Sequence, residues 1–431
     1  MLKTKNNVQG AALELLALNL TGSLVREDDI FNSYIEENRA VILDYKDAYE
    51  SNDHFDTNKI YNYLEGHILR KVKNKLPVVF LSGGVDSALI ALVLKKNNID
   101  FMNFSYILSE NDAAYERIRY VEHKLGIKSE IFVFDRDRVA RISKDYFSYY
   151  DSPILDGSAL VTCDLCCETL KNISAKKDLI FIDGTGADAL YGFSGNTVRE
   201  ALKERLIYLF SNKFTDQLKF KGYILNVLTS LIARQHRHLP CKNYVFPKII
   251  KKEAKDFIRR NPEVLFNPVY DPGHSYYTKN MLSDLYDFSI KQMCYKTYAP
   301  IVKSGHDIMY PFLSSELMHY AFGLSNKIKT QPSLKQPLKS ILIQEGFDER
   351  FVYAHKRGFG FDLYGIFDFS FIKSNYGLLR ETGIFNDDFD VFLTHAMECG
   401  DKRYSWSIYG IFMSILYLTK YYKVSGGKSA A

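Results

Sequence analysis

Two glycine turns, each holding an aspartate, carry the residues of this sequence best suited to chemistry. The first is Ser82-Gly83-Gly84-Val85-Asp86-Ser87; the second is Gly184-Thr185-Gly186-Ala187-Asp188. Gly83 and Gly84 have no Cβ, so the backbone there can approach an anion closely, and the N-terminus of a following helix points free N–H groups at it. The hydroxyls of Ser82 and Ser87 add donors. A carboxylate such as Asp86 repels phosphate unless a divalent cation lies between them, which reads it as a magnesium ligand. Asp188 sets a second carboxylate at the mouth of the second turn, and two such groups suit one hydrated Mg²⁺ that bridges phosphate oxygens. The competing reading of Asp188 is a helix N-cap. The first turn holds no lysine and lacks the GxxxxGK[ST] spacing, so it is not the loop that transfers a γ-phosphate.

Both turns need strands in front of them. Val78, Val79, Phe80 and Leu81 form an apolar, β-branched run typical of a buried parallel strand, and Leu89, Ile90 and Val93 mark the helix behind the turn. A strand at Phe101–Ile107, a helix at Asp112–Leu125 stopped by Gly126, a strand at Ser129–Phe134 and a further strand from Leu179 follow. Strands alternating with helices predict an α/β fold, a doubly wound parallel sheet of Rossmann-like type. In such sheets ligands lie beyond the carboxyl ends of the strands, so an adenine would meet backbone near Phe104, Ser105 and Tyr106.

Composition narrows the class. The 431 residues carry 56 basic and 51 acidic side chains, a net charge of +5 spread along the chain, too mild to argue for a nucleic-acid partner. Residues Ala11–Leu20 are apolar but interrupted by Glu14, and Trp406–Leu418 is too short to span a bilayer, so neither export nor a membrane partner is expected. Six cysteines without regular spacing fit reduced thiols in the cytoplasm. Cys163, Cys166 and Cys167 fall on one helix face and read as small buried residues rather than as a metal or sulfur-transfer site.

SGGVDS, then DSPILDGSAL, then DGTGADALYG resemble, in this order, the synthetase domain of the asparagine synthetase family of PP-loop ATP pyrophosphatases, which includes β-lactam synthetases and lasso peptide cyclases. YPFLSSEL (Tyr310–Leu317) is similar to the family's PFLD segment and KRGFGF (Lys356–Phe361) to its K-x-G-F loop, so the resemblance spans roughly residues 59–365. It implies ATP and Mg²⁺ as cofactors and a reaction in which a carboxylate is adenylated, pyrophosphate leaves, and an amine or ammonia displaces AMP. It also implies roles: Leu81, Ser82, Gly83, Gly84, Asp86, Ser87, Ser105, Tyr106, Gly184 and Gly186 around ATP, Asp86 and Asp188 on the metal, and Lys356 on the charged intermediate. Thr185 stands where relatives carry a Glu or Tyr that handles the amine, Ala189 where they carry Glu, Met309 for an Arg and Ser314 for an Asp. ATP chemistry is thus expected intact and acceptor recognition rebuilt.

The expected layout is an N-terminal segment, 1–58, part of which (Leu16–Tyr45) is similar to the end of a glutamine-hydrolysing domain; an ATP-binding core, 59–200; a helical insertion or lid, 201–300; and a helical C-terminal part, 301–425. That glutaminase needs an N-terminal cysteine; position 2 is Leu2 and the first cysteine is Cys163, so the amine is expected from outside, from a small molecule or a partner protein. Lys335 and Lys339, one turn apart, read either as reaching phosphates or an acidic substrate or as a solvated helix face. Two other functions compete: adenylation of a tRNA base for thiolation or amination, and a non-catalytic nucleotide-binding relative.

Overall fold

The computed structural model describes residues 29–45, 52–109, 111–154, 156–173, 178–192, 251, 278, 281–282, 284–354, 369–400 and 404–421. Five strands form one sheet in the order β3-β2-β1-β4-β5: β1 Leu76–Phe80, β2 Met102–Ile107, β3 Ser129–Val133, β4 Leu179–Ile182 and β5 Asp307–Met309. All four pairings are parallel. Helices α1 Asp29–Asp44, α2 Thr57–Val72, α3 Val85–Lys96, α4 Ala113–Leu125, α5 Arg136–Tyr149, α6 Ala159–Asn172, α7 Tyr295–Lys303, α8 Ser315–Gly323, α9 Gln336–Gln344, α10 Glu349–Tyr353, α11 Asp388–Glu398 and α12 Ser405–Tyr421 surround it.

The near-continuous apolar run of β1 follows from burial on both faces. Val78 packs with Phe104 and Phe181 against Leu165 and Cys166 of α6 and Ile301 of α7. Its neighbour Val79 points the other way, into the large core that holds Ile60, Leu64 and Ile68 of α2 and most of α3. α3 is apolar nearly all round because helices as well as the sheet enclose it. Helix ends follow local chemistry: Asp112 caps α4 by accepting from the Ala114 N–H, and Gly126 closes it in the left-handed region, as its sequence position predicts.

One expectation fails. From Asp307 onward the chain reads as helical, yet Asp307–Met309 is the fifth strand, paired with Ile180–Ile182. Three residues are too few to show a period, and the pairing is set by β4 rather than by local propensity. The expected lid as far as residue 250 and the Lys356 loop lie outside the described residues; the last part of the expected lid, 284–300, is described and helical. No helix among the described residues is long and apolar enough to cross a membrane. Trp406–Leu418 falls within α12, whose Ile408–Ile415 stretch is buried as a core helix requires.

Candidate active site

The first turn leaves β1 at Leu81, whose N–H donates to the Phe104 carbonyl and whose own carbonyl accepts from the Ser105 hydroxyl at 2.5 Å. Ser105 is therefore committed to locking β2 to the start of the turn, and its side chain is buried. Gly83 adopts φ +66, a conformation glycine visits without penalty. A Cβ built there would lie 2.8 Å from Arg117 Cβ and 2.9 Å from the Ile118 N, so α4 also demands glycine by close approach. Ser82 and Ser87 close the turn: their hydroxyls are 3.2 Å apart, the Ser82 N–H donates to Ser87 Oγ at 3.2 Å, and Ser87 Oγ donates to the Gly84 carbonyl.

Arg117, which the sequence reading did not single out, holds the turn from the side. Its Nε donates to the Gly83 carbonyl at 3.0 Å and its Nη1 to the Phe351 carbonyl of α10 at 3.0 Å, while the guanidinium lies over the Phe351 ring. Because a peptide group is planar and trans, fixing the Gly83 carbonyl toward α4 turns the Gly84 N–H the opposite way, toward Ser82 Oγ at 3.4 Å.

The second turn leaves β4 beside the first, since β1 and β4 are neighbours with Val79 level with Ile182. Gly184 abuts Asp86: a Cβ there would come 3.1 Å from Asp86 Cβ. Gly186, at φ +102, leaves room for Leu313, which a side chain would meet at 2.5 Å. Asp188 begins a short π-helical turn, Asp188–Gly192.

A single cation joins the two carboxylates. Lys335 Nζ donates to Asp86 Oδ2 at 2.5 Å and contacts Asp188 Oδ1 at 2.7 Å. The lysine reaches them from the N-cap of α9, itself in the left-handed region at φ +61, tied by its N–H to the Tyr191 carbonyl. Its stem passes over Gly192, where a Cβ would collide with Lys335 Cγ at 2.7 Å. Burial alone would depress this ammonium, but Asp188 and Asp86 outweigh it and hold it above the ordinary lysine range. The two legs differ in strength: Asp86 is sheltered at 18% exposure, whereas Asp188 is 84% exposed and screened by water. Lys339 stands behind, over the Tyr353 ring, its ammonium pushed down by burial, Lys335 and Arg117.

Thr185 sits over a carboxylate that the sequence reading passed by. Its N–H and hydroxyl both donate to Asp183 Oδ1, at 2.9 and 2.8 Å. Thr297 of α7 donates to Asp183 Oδ2 at 2.8 Å and lies 3.0 Å from the Tyr310 hydroxyl, which donates to the Cys294 carbonyl. Tyr106 is near the same region: burial, then Asp156, Asp112 and Asp183, push its phenol up. Of the sequence-predicted residues, the structure brings together Leu81, Ser82, Gly83, Gly84, Asp86, Ser87, Gly184, Thr185, Gly186 and Asp188, with Ser105 and Tyr106 on the adjoining strand; Lys356 lies outside the described residues.

Residues 64–368 match the family model for asparagine synthase. The chain belongs to the asparagine synthase family. As a member of it, the chain is an ATP-using synthetase of the ligase type. No match was found among curated proteins. Among solved structures the chain is similar to a crystal structure of NAD+ synthetase from Burkholderia pseudomallei, with 13% identity over 66% of this chain and 97% of that one, at a TM-score of 0.24. Both aspartates joined by Lys335 and both glycine turns fall inside the span matched to the asparagine synthase family.

Proposed function

We propose that the protein joins a carboxylate to an amine: it adenylates the carboxylate with ATP, releases pyrophosphate, and lets an amine or ammonia displace AMP to leave an amide. The observation that carries this reading is the convergence of Asp86 and Asp188, from turns on adjacent strands, onto one cation. Their oxygens cannot lie further apart than the sum of the two Lys335 contacts, which is compatible with one small divalent ion. Among the described residues no group of three or more acidic, His or Cys side chains could hold a metal alone. A pair of carboxylates completed by phosphate and water is how Mg²⁺ is usually held, so the donor set fits. Bound there, the ion would neutralise phosphate charge as pyrophosphate departs.

The chain's own groups do the rest. The Gly83–Gly84 turn and the N-terminus of α3 present N–H groups to the β and γ phosphates. Lys335, already protonated, would trade its carboxylates for phosphate oxygens, with Lys339 and Arg117 adding positive charge on the same side. Lys356 is read as the cation at the α-phosphate, a fixed charge where negative charge develops. The amine is read as coming from outside, free or from a partner protein. We read the protein as cytoplasmic and its carboxylate as a small molecule or peptide.

The experiment is incubation of the full chain with Mg-ATP and the small-molecule fraction of a cell extract, read by mass spectrometry. AMP and pyrophosphate accompanied by a new amide support the reading. ADP in place of AMP, or dependence on added tRNA, overturns it.

A further inference from the structure

Thr185 poses a chemical problem for the amide-forming step, because a hydroxyl alone neither accepts nor holds a proton at neutral pH. The structure places a carboxylate directly behind it. Asp183 Oδ1 takes the Thr185 hydroxyl at 2.8 Å, and the group is half-exposed at the carboxyl end of β4. Unlike Asp86 and Asp188, Asp183 makes no ion pair among the described residues; its carboxylate accepts from the Thr185 and Thr297 hydroxyls and the Thr185 amide N–H, all neutral. Thr297 pins the far oxygen, so the near one stays aimed at Thr185. Gly184 between them lies against Asp86, which puts the Asp183–Thr185 pair beside the ATP-directed carboxylate.

We infer that Thr185 and Asp183 together form the proton-accepting pair of the amine step, with Thr185 touching the amine and Asp183 serving as the positioning residue and proton sink behind it. This rests on the synthetase reading above. As the nitrogen lone pair forms the C–N bond at the acyl carbon, the carbon–oxygen bond to the AMP phosphate breaks and its electron pair leaves with AMP. The nitrogen's surplus proton passes to Thr185 Oγ1 while the threonine's own proton moves along the existing hydrogen bond to Asp183 Oδ1. Asp183 then returns that proton to water. No oxidant, reductant or further reactant is required. The arrangement moves the base two residues back along the turn and reaches the substrate through a hydroxyl.

The test uses the full chain with Mg-ATP, the small-molecule fraction of a cell extract as carboxylate source, and two amines: ammonia, which is mostly ammonium at pH 7 and needs a base to shed its surplus proton, and hydroxylamine, a much weaker base that is mostly unprotonated at pH 7 and whose surplus proton passes readily to water. In Asp183→Asn, ammonia-dependent amide formation should fall by about 100-fold or more, the size of a general-base contribution, while hydroxylamine trapping stays near the wild-type level. Thr185→Val should behave alike, and Asp183→Asn/Thr185→Glu, which restores a carboxylate at the turn, should recover ammonia use. Wild-type ammonia use in Asp183→Asn, or equal loss with both amines, overturns this inference and leaves the synthetase reading standing. Absence of AMP from the wild-type protein with either amine overturns the synthetase reading and the pair with it.

Discussion

Lys335 and Asp86, 249 residues apart in the chain, meet at 2.5 Å above the first glycine turn. With Lys335 replaced by Met, Asp86 keeps its sheltered position and loses the ammonium it now accepts from, so stability should fall by about 2 kcal/mol, the range for a hydrogen bond to a charged group. Lys335→Met/Asp86→Asn should recover part of that loss. The raised ammonium adds a pH signature. A group whose folded pKa exceeds its unfolded value gives its full stabilisation below the unfolded value and loses it as pH climbs through the folded one. Wild-type stability should therefore decline more steeply than that of Lys335→Met above the ordinary lysine range. Urea midpoints across alkaline pH check both statements.

Gly83→Ala should be the most damaging change in the first turn. It meets φ +66, which costs an L-residue roughly 1–2 kcal/mol, and its Cβ must displace the backbone of α4 at Ile118 as well as Arg117. ATP binding measured by calorimetry should vanish while the far-ultraviolet dichroism of the fold persists. Unchanged ATP affinity would show that the turn does not contact nucleotide.

A buried pair away from the turns anchors α7 to the segment before α6. Lys296 Nζ donates to Asp156 at 2.9 Å and to Ser158 Oγ at 2.6 Å, and the lysine side chain is only 5% exposed. Lys296→Met should cost about 3–5 kcal/mol because it strands a buried carboxylate, whereas Lys296→Met/Asp156→Leu should cost much less. Burial pushes the Asp156 carboxyl up, but Lys296 and the Ser158 hydrogen bonds outweigh it and hold it below the usual range. Its contribution is thus present above the ordinary aspartate pKa of about 3.9 and lost as pH falls below it. Thermal melts of wild type and double variant between neutral pH and pH 3 should converge at the acid end.

The cysteines separate by access. Cys166 packs against the sheet with Val78 and Phe181, and burial, with Cys167 and Asp183 nearby, pushes its thiol well up. Cys166→Ser should leave AMP formation nearly unchanged. A thiol reagent applied to the folded protein should label exposed Cys399 well before Cys163, Cys166 or Cys294. Rapid labelling at Cys166, found by peptide mapping, would contradict its packing.

Much of this architecture is readable from residues close together in the chain. The apolar run of β1, the glycine pair behind it and the Asp112 and Gly126 ends of α4 each announce themselves within a few positions, because strand burial and helix caps are local devices. Long-range devices do not. Nothing around Lys335 marks it as the cation between two aspartates; a solvated face fits its surroundings equally well, and only the left-handed N-cap of α9 and the gap at Gly192 aim it inward. Arg117 sits mid-helix among charged residues, and its tie to Gly83 appears only when α4 lies beside the turn. Asp183 reads as the end of a strand until the Thr185 hydroxyl is seen upon it. An aspartate followed two residues later by a threonine is the one local sign that could have drawn notice.

Because β1 and β4 are hydrogen-bonded neighbours, the strand ends from which the two glycine turns spring stand one interstrand spacing apart, about 4.8 Å. Spreading those strand ends would break the sheet's own hydrogen bonds. The root of the two turns is therefore a fixed gauge, and whatever adapts the site to a different substrate has to lie further out.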